Sequence, residues 1–107
     1  MAIKHLFNSS GSWIAFQQGK YVYNTNADWI GWLPWDDADV VDTNGEYLGT
    51  IVKGNRFYRF LYRPYRGYPG YPGYPGYPGY PGYPGYAGYS PLPPMAQDIE
   101  EEELEES

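Results

Sequence analysis

The sequence predicts an all-β fold, a small antiparallel meander of repeated β-hairpins followed by a non-globular tail. Turn-forming clusters recur at near-regular spacing between runs of Val, Ile, Tyr, Phe and Trp, which are residue types that favour strands. Glycine and proline crowd after residue 66, in a repeat of Gly-Tyr-Pro. We therefore divide the chain into an assembly module (1–66), a low-complexity tail (67–94) and an acidic C-terminal end (95–107).

Three segments of the module align with one another. Each begins with two apolar residues, passes through Asn or Asp into a turn cluster, and ends on an aromatic residue, an Ile or Leu and a small residue. The segments are LFNSSGSWIAF (6–16), VYNTNADWIGW (22–32) and VVDTNGEYLGT (40–50). Because Asn, Asp, Ser and Gly suit turns, each segment is predicted to be a hairpin, with Gly11, Asn44 and Gly45 in the turns. Asn44-Gly45 is the favoured pair of a two-residue type I′ turn.

Aromatic residues are the second feature of the module. The strands carry apolar side chains on both faces, so one face is expected to form the core and the other to need a partner. We assign five aromatic residues to core and subunit interface: Trp13, Trp29, Trp32, Trp35 and Tyr47. A module this short buries only ~60% of its unfolded-chain surface, and the chain has no cysteine, so oligomerisation is the remaining way to stabilise it.

The aligned segments resemble the bacterial 4-fold beta flower proteins. The resemblance rests on LFNSSGSWIAF, VYNTNADWIGW and VVDTNGEYLGTIVKGNRFYRF, and it covers roughly residues 3–60. It implies a small β-sheet protomer assembled around a fourfold axis, in a family without an established activity. The second segment has Ala27-Asp28 where the pattern has glycine, which leaves the type of that turn open.

No motif of the chain identifies a reaction. The single histidine, His5, has no cysteine to accompany it, and no serine lies in a Gly-x-Ser-x-Gly elbow. We therefore predict a protein that is not an enzyme and has no cofactor. Residues 42–45 match a fragment of a calcium loop but lack the spacing and the bidentate glutamate of an EF-hand, and turn bonding explains Asp42 better.

Charge divides the chain into two parts. Residues 1–66 hold all seven Lys and Arg against six acids, whereas residues 67–107 hold seven acids and no base. This acidity disfavours nucleic acid and anionic membrane as partners, although Arg56, Arg59, Arg63 and Arg66 alternate with aromatic residues as in single-strand grooves. We expect these arginines to pair with acids of the tail or of a neighbouring protomer, or to stack on tyrosines. The sequence shows neither a signal peptide nor a run of ~20 apolar residues, so a cytoplasmic location is the default.

The run of triplets from Gly67 to Tyr89 is called the ladder below. Proline fixes φ near −65° and polyproline II has three residues per turn, so the period of three is expected to place the tyrosines on one edge. Other interpretations are a disordered linker, a short collagen-like helix and a spiral of Pro-Gly type II turns. The tyrosines predicted to bind a partner are Tyr68, Tyr71, Tyr74, Tyr77, Tyr80, Tyr83 and Tyr86.

These features predict a non-enzymatic homo-oligomeric structural protein, a tetramer, that displays multivalent Tyr- and Pro-rich acidic tails to a protein partner. Two alternatives stay open: a carbohydrate or small-ligand binding module that uses the tryptophans, and a filament or coat subunit with ordered tails. The acidic end is expected to be solvated or to form a short helix for a basic partner. Deletion of residues 67–107 is accordingly expected to leave the fold and the oligomeric state intact.

Overall fold

The computed structural model describes residues 3–35, 37–62, 66–67 and 69–105. These residues form eight strands and one short helix, in the chain order β1 (Ile3–Phe7), β2 (Trp13–Gln18), β3 (Tyr21–Asn24), β4 (Trp29–Trp32), β5 (Asp39–Asp42), β6 (Tyr47–Val52), β7 (Arg56–Phe60), β8 (Ala96–Asp98) and α1 (Glu101–Glu105). The predicted all-β class is therefore confirmed.

The first seven strands close into a barrel. Neighbouring strands pair antiparallel in sequence order, as a meander requires, and β1 also pairs parallel with β7 through Phe7 and Arg56. The predicted meander is therefore present, and in addition the sheet curls until its first strand meets its seventh. Closure removes the two free sheet edges that an open meander would present to other chains.

The repeat seen in the sequence is a repeated turn. The first residue of each turn is Asn8, Asn24 or Asp42, and its side-chain oxygen accepts at least one backbone N–H across the turn. Asp42 Oδ1, for instance, accepts from Asn44 N at 2.9 Å and Glu46 N at 3.0 Å, and Asn24 Oδ1 accepts from Asn26 N and Asp28 N at 2.9 and 3.0 Å. The fourth residue of each turn has positive φ: Gly11 (93°), Ala27 (66°) and Gly45 (87°). Asp42 is therefore a turn residue, and Ala27 keeps the same conformation as its glycine counterparts.

The predicted type I′ turn at Asn44-Gly45 is wrong. Gly45 N donates to Asp42 O at 3.0 Å and Asp42 N donates to Glu46 O at 2.7 Å, so Thr43 and Asn44 are the central residues and Gly45 follows them. A type I′ turn needs positive φ at both central residues, whereas here it occurs at Gly45 alone among these three residues. The arrangement is a type I turn followed by a left-handed residue, with a strand irregularity between Val40 and Val41.

The barrel interior is filled by aliphatic side chains and one phenylalanine. The core consists of Leu6, Ile14, Ala15, Val22, Ile30, Val40, Leu48, Ile51, Phe57, Ile99 and Leu104. Its last two members come from the acidic end, where Ile99 is 2% exposed and Leu104 is 1% exposed. The expectation that this end is solvated fails for these two side chains, which complete the core.

Polar contacts hold the acidic end in place. Strand β8 pairs antiparallel with β7, from Tyr58–Asp98 to Phe60–Ala96. Asn24 Nδ2 donates to Leu104 O at 3.0 Å, and Arg59 forms an ion pair with Glu103 at 2.7 Å. The C-terminal residues thus belong to the folded unit, so the boundary drawn after residue 66 does not separate the core from the rest of the chain.

We expect Ile99→Ala to destabilise the protein by about 2–5 kcal/mol, because it leaves a cavity in a closed core. Leu92→Ala is the matched control, since Leu92 is 39% exposed and should change stability by less than about 1 kcal/mol. Urea unfolding followed by circular dichroism measures both. Equal midpoints for the two variants would show that the acidic end is dispensable for the fold.

Candidate functional site

A second apolar cluster lies outside the core, on the first four strands. Its buried members are Phe7, Trp13, Phe16, Tyr23 and Ala27, with Tyr21, Trp29 and Ala87 packed against them. We call this surface the aromatic face. Successive side chains of a strand point to opposite faces of the sheet. Leu6 and Val22 therefore point into the barrel, whereas their neighbours Phe7 and Tyr23 point outward and form the aromatic face. The sequence predicted that a second apolar face would need a partner, and the ladder of the same chain lies on it.

Two tryptophans of the aromatic face each lie between two ladder tyrosines. Trp29 meets Tyr71 and Tyr74 edge-on, with ring centroids 5.8 and 5.7 Å away. Trp13 meets Tyr80 and Tyr83 in the same way, both at 5.9 Å. We call these two arrangements the tryptophan clamps. Each clamp takes tyrosines one triplet apart, and edge-to-face aromatic pairs of this kind contribute about 0.5–1.5 kcal/mol each.

The orientation of the clamp tryptophans is set by their own strands. Trp13 Nε1 donates to Ala15 O at 2.7 Å and Trp29 Nε1 donates to Gly31 O at 2.8 Å. Both bonds span two residues, because Trp13 and Trp29 occupy equivalent positions of the sequence repeat. The internal repeat of the barrel thereby produces two equivalent receptors for a repeating ladder.

The end of the ladder is fixed by backbone hydrogen bonds to the first turn. Ala87 N donates to Gly11 O at 2.9 Å and Ser90 N donates to Ser9 O at 2.8 Å. Ala87 and Ser90 are the third residues of the last two triplets, where the preceding triplets have proline. Proline has no N–H to donate, so the two departures from the repeat are the two positions whose backbone N–H groups donate to the barrel. Sequence reasoning missed both, although the break in the repeat was a visible signal.

The guanidinium of Arg56 forms hydrogen bonds both to the ladder end and to the first turn. Its guanidinium donates to Asn8 O at 2.8 Å, Gly88 O at 3.0 Å and Ala87 O at 3.3 Å, and the residue is only 7% exposed. Gly11 allows this close approach, since an added Cβ would lie 2.5 Å from Gly88 O. Arg56 was predicted to bind acids or aromatic rings, and it binds carbonyls of the ladder and of the first turn.

The ladder backbone keeps the period of three but departs from a regular polyproline II helix. Every ladder glycine has φ between 82° and 90°, whereas polyproline II and collagen require about −75° throughout. Positive φ after proline is the glycine conformation of a type II turn. The seven described ladder tyrosines are 58–73% exposed: Tyr71, Tyr74, Tyr77, Tyr80, Tyr83, Tyr86 and Tyr89.

The other predicted aromatic residues are occupied within the chain. Trp32 is 7% exposed and lies 5.8 Å from the Lys20 ammonium. The guanidinium of Arg66 covers Trp35 at 4.1 Å. Tyr47 Oη shares a 2.7 Å hydrogen bond with Thr50 Oγ1 and accepts from Phe60 N at 3.1 Å. With Trp13 and Trp29 clamped by the ladder, these contacts disfavour the four tryptophans as open platforms for sugars.

Arg59 and Arg66 form ion pairs with acidic side chains of the same chain. Arg59 pairs with Glu103 of the acidic end, as predicted for this set. Arg66 donates to Asp37 at 2.6 Å and to Asp39 at 3.0 Å, and the hydrogen bond to Asp37 is the main cause that raises the pKa of Arg66. Its acids therefore belong to the module rather than to the tail. Two predicted site residues, Arg63 and Tyr68, lie outside the described residues.

The described part of the chain contains no cluster of three or more His, Cys, Asp or Glu that would suit a metal ion. It also contains no helix with the length and hydropathy to cross a membrane. Comparison of the chain with protein-family models, curated proteins and solved structures finds no match. The resemblance to the 4-fold beta flower proteins therefore stays a prediction.

We expect Gly11→Ala to detach the ladder end and Gly54→Ala to leave it in place. Both glycines have positive φ, but an added Cβ at Gly54 has nothing within 4 Å. Gly54→Ala therefore measures left-handed strain alone, about 1–2 kcal/mol, whereas Gly11→Ala adds a collision with the Gly88 backbone. Hydrogen exchange at the Ala87 and Ser90 amides should accelerate in Gly11→Ala only. Equal protection in the two variants would contradict the close approach at Gly11.

We expect stability to fall as the pH rises above about 10, in part through Tyr23. Burial, with smaller contributions from Tyr21 and Tyr74, raises the pKa of Tyr23 above its usual value. The folded chain then keeps a phenol proton that the unfolded chain loses, so the stabilisation present below pH 10 declines above it. Urea midpoints at pH 8 and pH 10.5 should differ less for Tyr23→Phe than for the unchanged protein. An identical alkaline loss in both would remove Tyr23 as a cause.

Proposed function

We propose that the chain is a non-enzymatic structural protein that self-associates and presents its tyrosine ladder to a protein partner. One observation carries this proposal: the seven described ladder tyrosines remain 58–73% exposed although the ladder is fixed to the barrel. Monomeric proteins rarely expose contiguous apolar patches of this kind without a use for them. Tyrosine is also enriched in the buried centres of protein interfaces.

Fixation of the ladder supports a binding role. A free Gly-Tyr-Pro chain must lose conformational freedom when it binds, and that loss reduces affinity. Here the clamps and the Arg56 contacts order the ladder before a partner arrives, so more of the interaction energy appears as affinity. Repetition adds to this, since several equivalent tyrosines can engage a partner together.

The sequence supports self-association through the small size of the module, whereas the structure supports it through the exposed ladder tyrosines. The aromatic face is covered within the chain by the ladder, and Ile99 and Leu104 enlarge the core. The ladder and the acidic end therefore already supply the stabilisation that the sequence analysis expected from an oligomer. The exposed ladder tyrosines are the surface through which we propose self-association, and the tetramer is the number that the 4-fold beta flower resemblance implies.

The single histidine of the chain packs against the aromatic face. The His5 ring meets Trp13 edge-on at 5.6 Å, and among the described residues its buried Nε2 has no hydrogen-bond partner. The contact with Trp13 gives His5 a packing role beside the first clamp.

We expect Tyr77→Ser, Tyr86→Ser and Tyr89→Ser together to weaken self-association and partner capture by about tenfold or more. These tyrosines lie outside the two clamps, so the fold and the ladder path should persist. The matched control replaces the same three residues with Phe, which keeps the rings. Light scattering gives the mass, and capture from a cell extract by each variant gives partner binding. If the serine variant matches the Phe control in both assays, the exposed tyrosines are not the interaction surface.

A further inference from the structure

We infer that the aromatic face is a binding site for Gly-Tyr-Pro segments, and that the ladder of a second copy of this chain takes the place of the chain's own ladder. The exchange gives two barrels that hold each other's ladders. This inference goes beyond the proposed function, because it places a second mode of self-association on the face beneath the ladder rather than on the exposed tyrosines.

The aromatic face has the features of a peptide receptor. Grooves lined by aromatic side chains bind proline-rich segments, in which the fixed φ of proline lowers the conformational freedom lost on binding. Trp13 and Trp29 form two equivalent clamps, three triplets apart along the ladder. Tyr21 Oη also donates to the ladder carbonyl of Pro72 at 3.4 Å. All of these contacts recognise side chains or carbonyls that any copy of the ladder offers.

The specific part of the receptor recognises the end of the ladder. Gly11 O and Ser9 O each need an N–H donor, and the two donors must lie three residues apart after a run of proline triplets. Ala87 and Ser90 meet this requirement, whereas a continuous Gly-Tyr-Pro repeat does not. Arg56 in turn requires the carbonyls of residues 87 and 88. The partner that fits all of these contacts is a second copy of this chain.

The path of the ladder permits the exchange without unfolding the barrel. Leu61, before the ladder, and Met95, after it, lie side by side, since Leu61 N donates to Met95 O at 2.7 Å. Between the two clamps an open cleft of about 410 Å³ separates ladder and barrel, lined by Pro75, Tyr77 and Pro78 opposite the β2–β3 turn. The described ladder residues are thus held at the clamps and at their end, and none of them takes part in a strand pairing that release of the ladder would break.

Exchange competes with the chain's own ladder, whose effective concentration is in the millimolar range for a flexible connection. The test therefore removes that competition at the clamps of each chain. A receptor chain carries Tyr71→Ser, Tyr74→Ser, Tyr80→Ser and Tyr83→Ser, which empties its clamps. A donor chain carries Trp13→Leu and Trp29→Leu, which leaves its ladder without clamps.

We expect the one-to-one mixture to form a mixed dimer, seen by light scattering, with a change in tryptophan fluorescence from the restored clamps. Neither chain alone should show this. A donor that also carries the four serine substitutions is the matched control and should form no mixed dimer. Mixed and control samples that behave alike would overturn the inference.

A second experiment replaces the donor chain with a peptide, so that its result does not depend on whether the donor chain folds. A peptide of residues 69–90 is titrated into the receptor chain, with tryptophan fluorescence as the readout. It should bind about tenfold or more tightly than the same peptide with its tyrosines replaced by serine, and Ala87→Pro in the peptide should weaken binding. Equal binding of all three peptides, or none, would overturn the receptor site. The exposed tyrosines outside the clamps are untouched here, so failure of this test leaves the proposed partner binding to be judged by its own variants.

Discussion

The carboxylate of Asp98 holds the returning chain against the first turn of the barrel, and the rest of the architecture depends on this attachment. It accepts from Ser9 N at 2.8 Å and from Ser9 Oγ at 2.6 Å. Asp98 is also the residue of β8 that pairs with Tyr58 of β7, so one side chain joins the C-terminal strand to both the turn and the sheet. Ser9 O accepts from Ser90 N, which brings the ladder end to the same place. This attachment therefore reinforces both the β7–β8 pairing that positions Ile99 and the hydrogen bonds that hold the ladder end.

A long connection of this kind needs a physical reason to stay ordered. Ordering a residue costs about 1–2 kcal/mol of backbone entropy, and four aromatic contacts do not offset that over the whole ladder. Proline lowers the requirement, because a chain with fixed φ has fewer unfolded conformations to lose. The ladder is thus stiff before it binds, and the clamps, Arg56 and the two N–H donors select its path. The period of three then delivers a tyrosine to each clamp without any further adjustment of the backbone.

The local features of the fold could be predicted from the sequence, and the long-range ones could not. The hairpin positions follow from Asn and Asp beside turn residues, and Gly45 does have the left-handed conformation. The turn type was misjudged because Asp42, two residues before the Asn-Gly pair, closes the turn with its side chain. Closure through Phe7 and Arg56 joins residues far apart in sequence, and no local pattern encodes it. The burial of Ile99 and Leu104 was hidden by their acidic neighbours, whose charge indicates solvent although the two aliphatic side chains point inward.

The sequence indicated that the second apolar face of the sheet must be covered, and in the structure the ladder of the same chain covers it. Apolar side chains on both sides of a sheet do require a second covering layer, and the sequence suggested another protomer for that role. In the structure the chain covers itself, with Tyr71, Tyr74, Tyr80 and Tyr83 over the two tryptophans. The covering layer is itself rich in exposed aromatic rings. The tryptophans are therefore covered, but the tyrosines above them now present apolar surface to solvent. Tyrosine is the residue suited to that position, since its ring packs on the indole while its hydroxyl remains hydrated. A surface of this composition is stable in water and still offers rings to a partner, which a layer of exposed tryptophan or phenylalanine would achieve only with a greater tendency to aggregate.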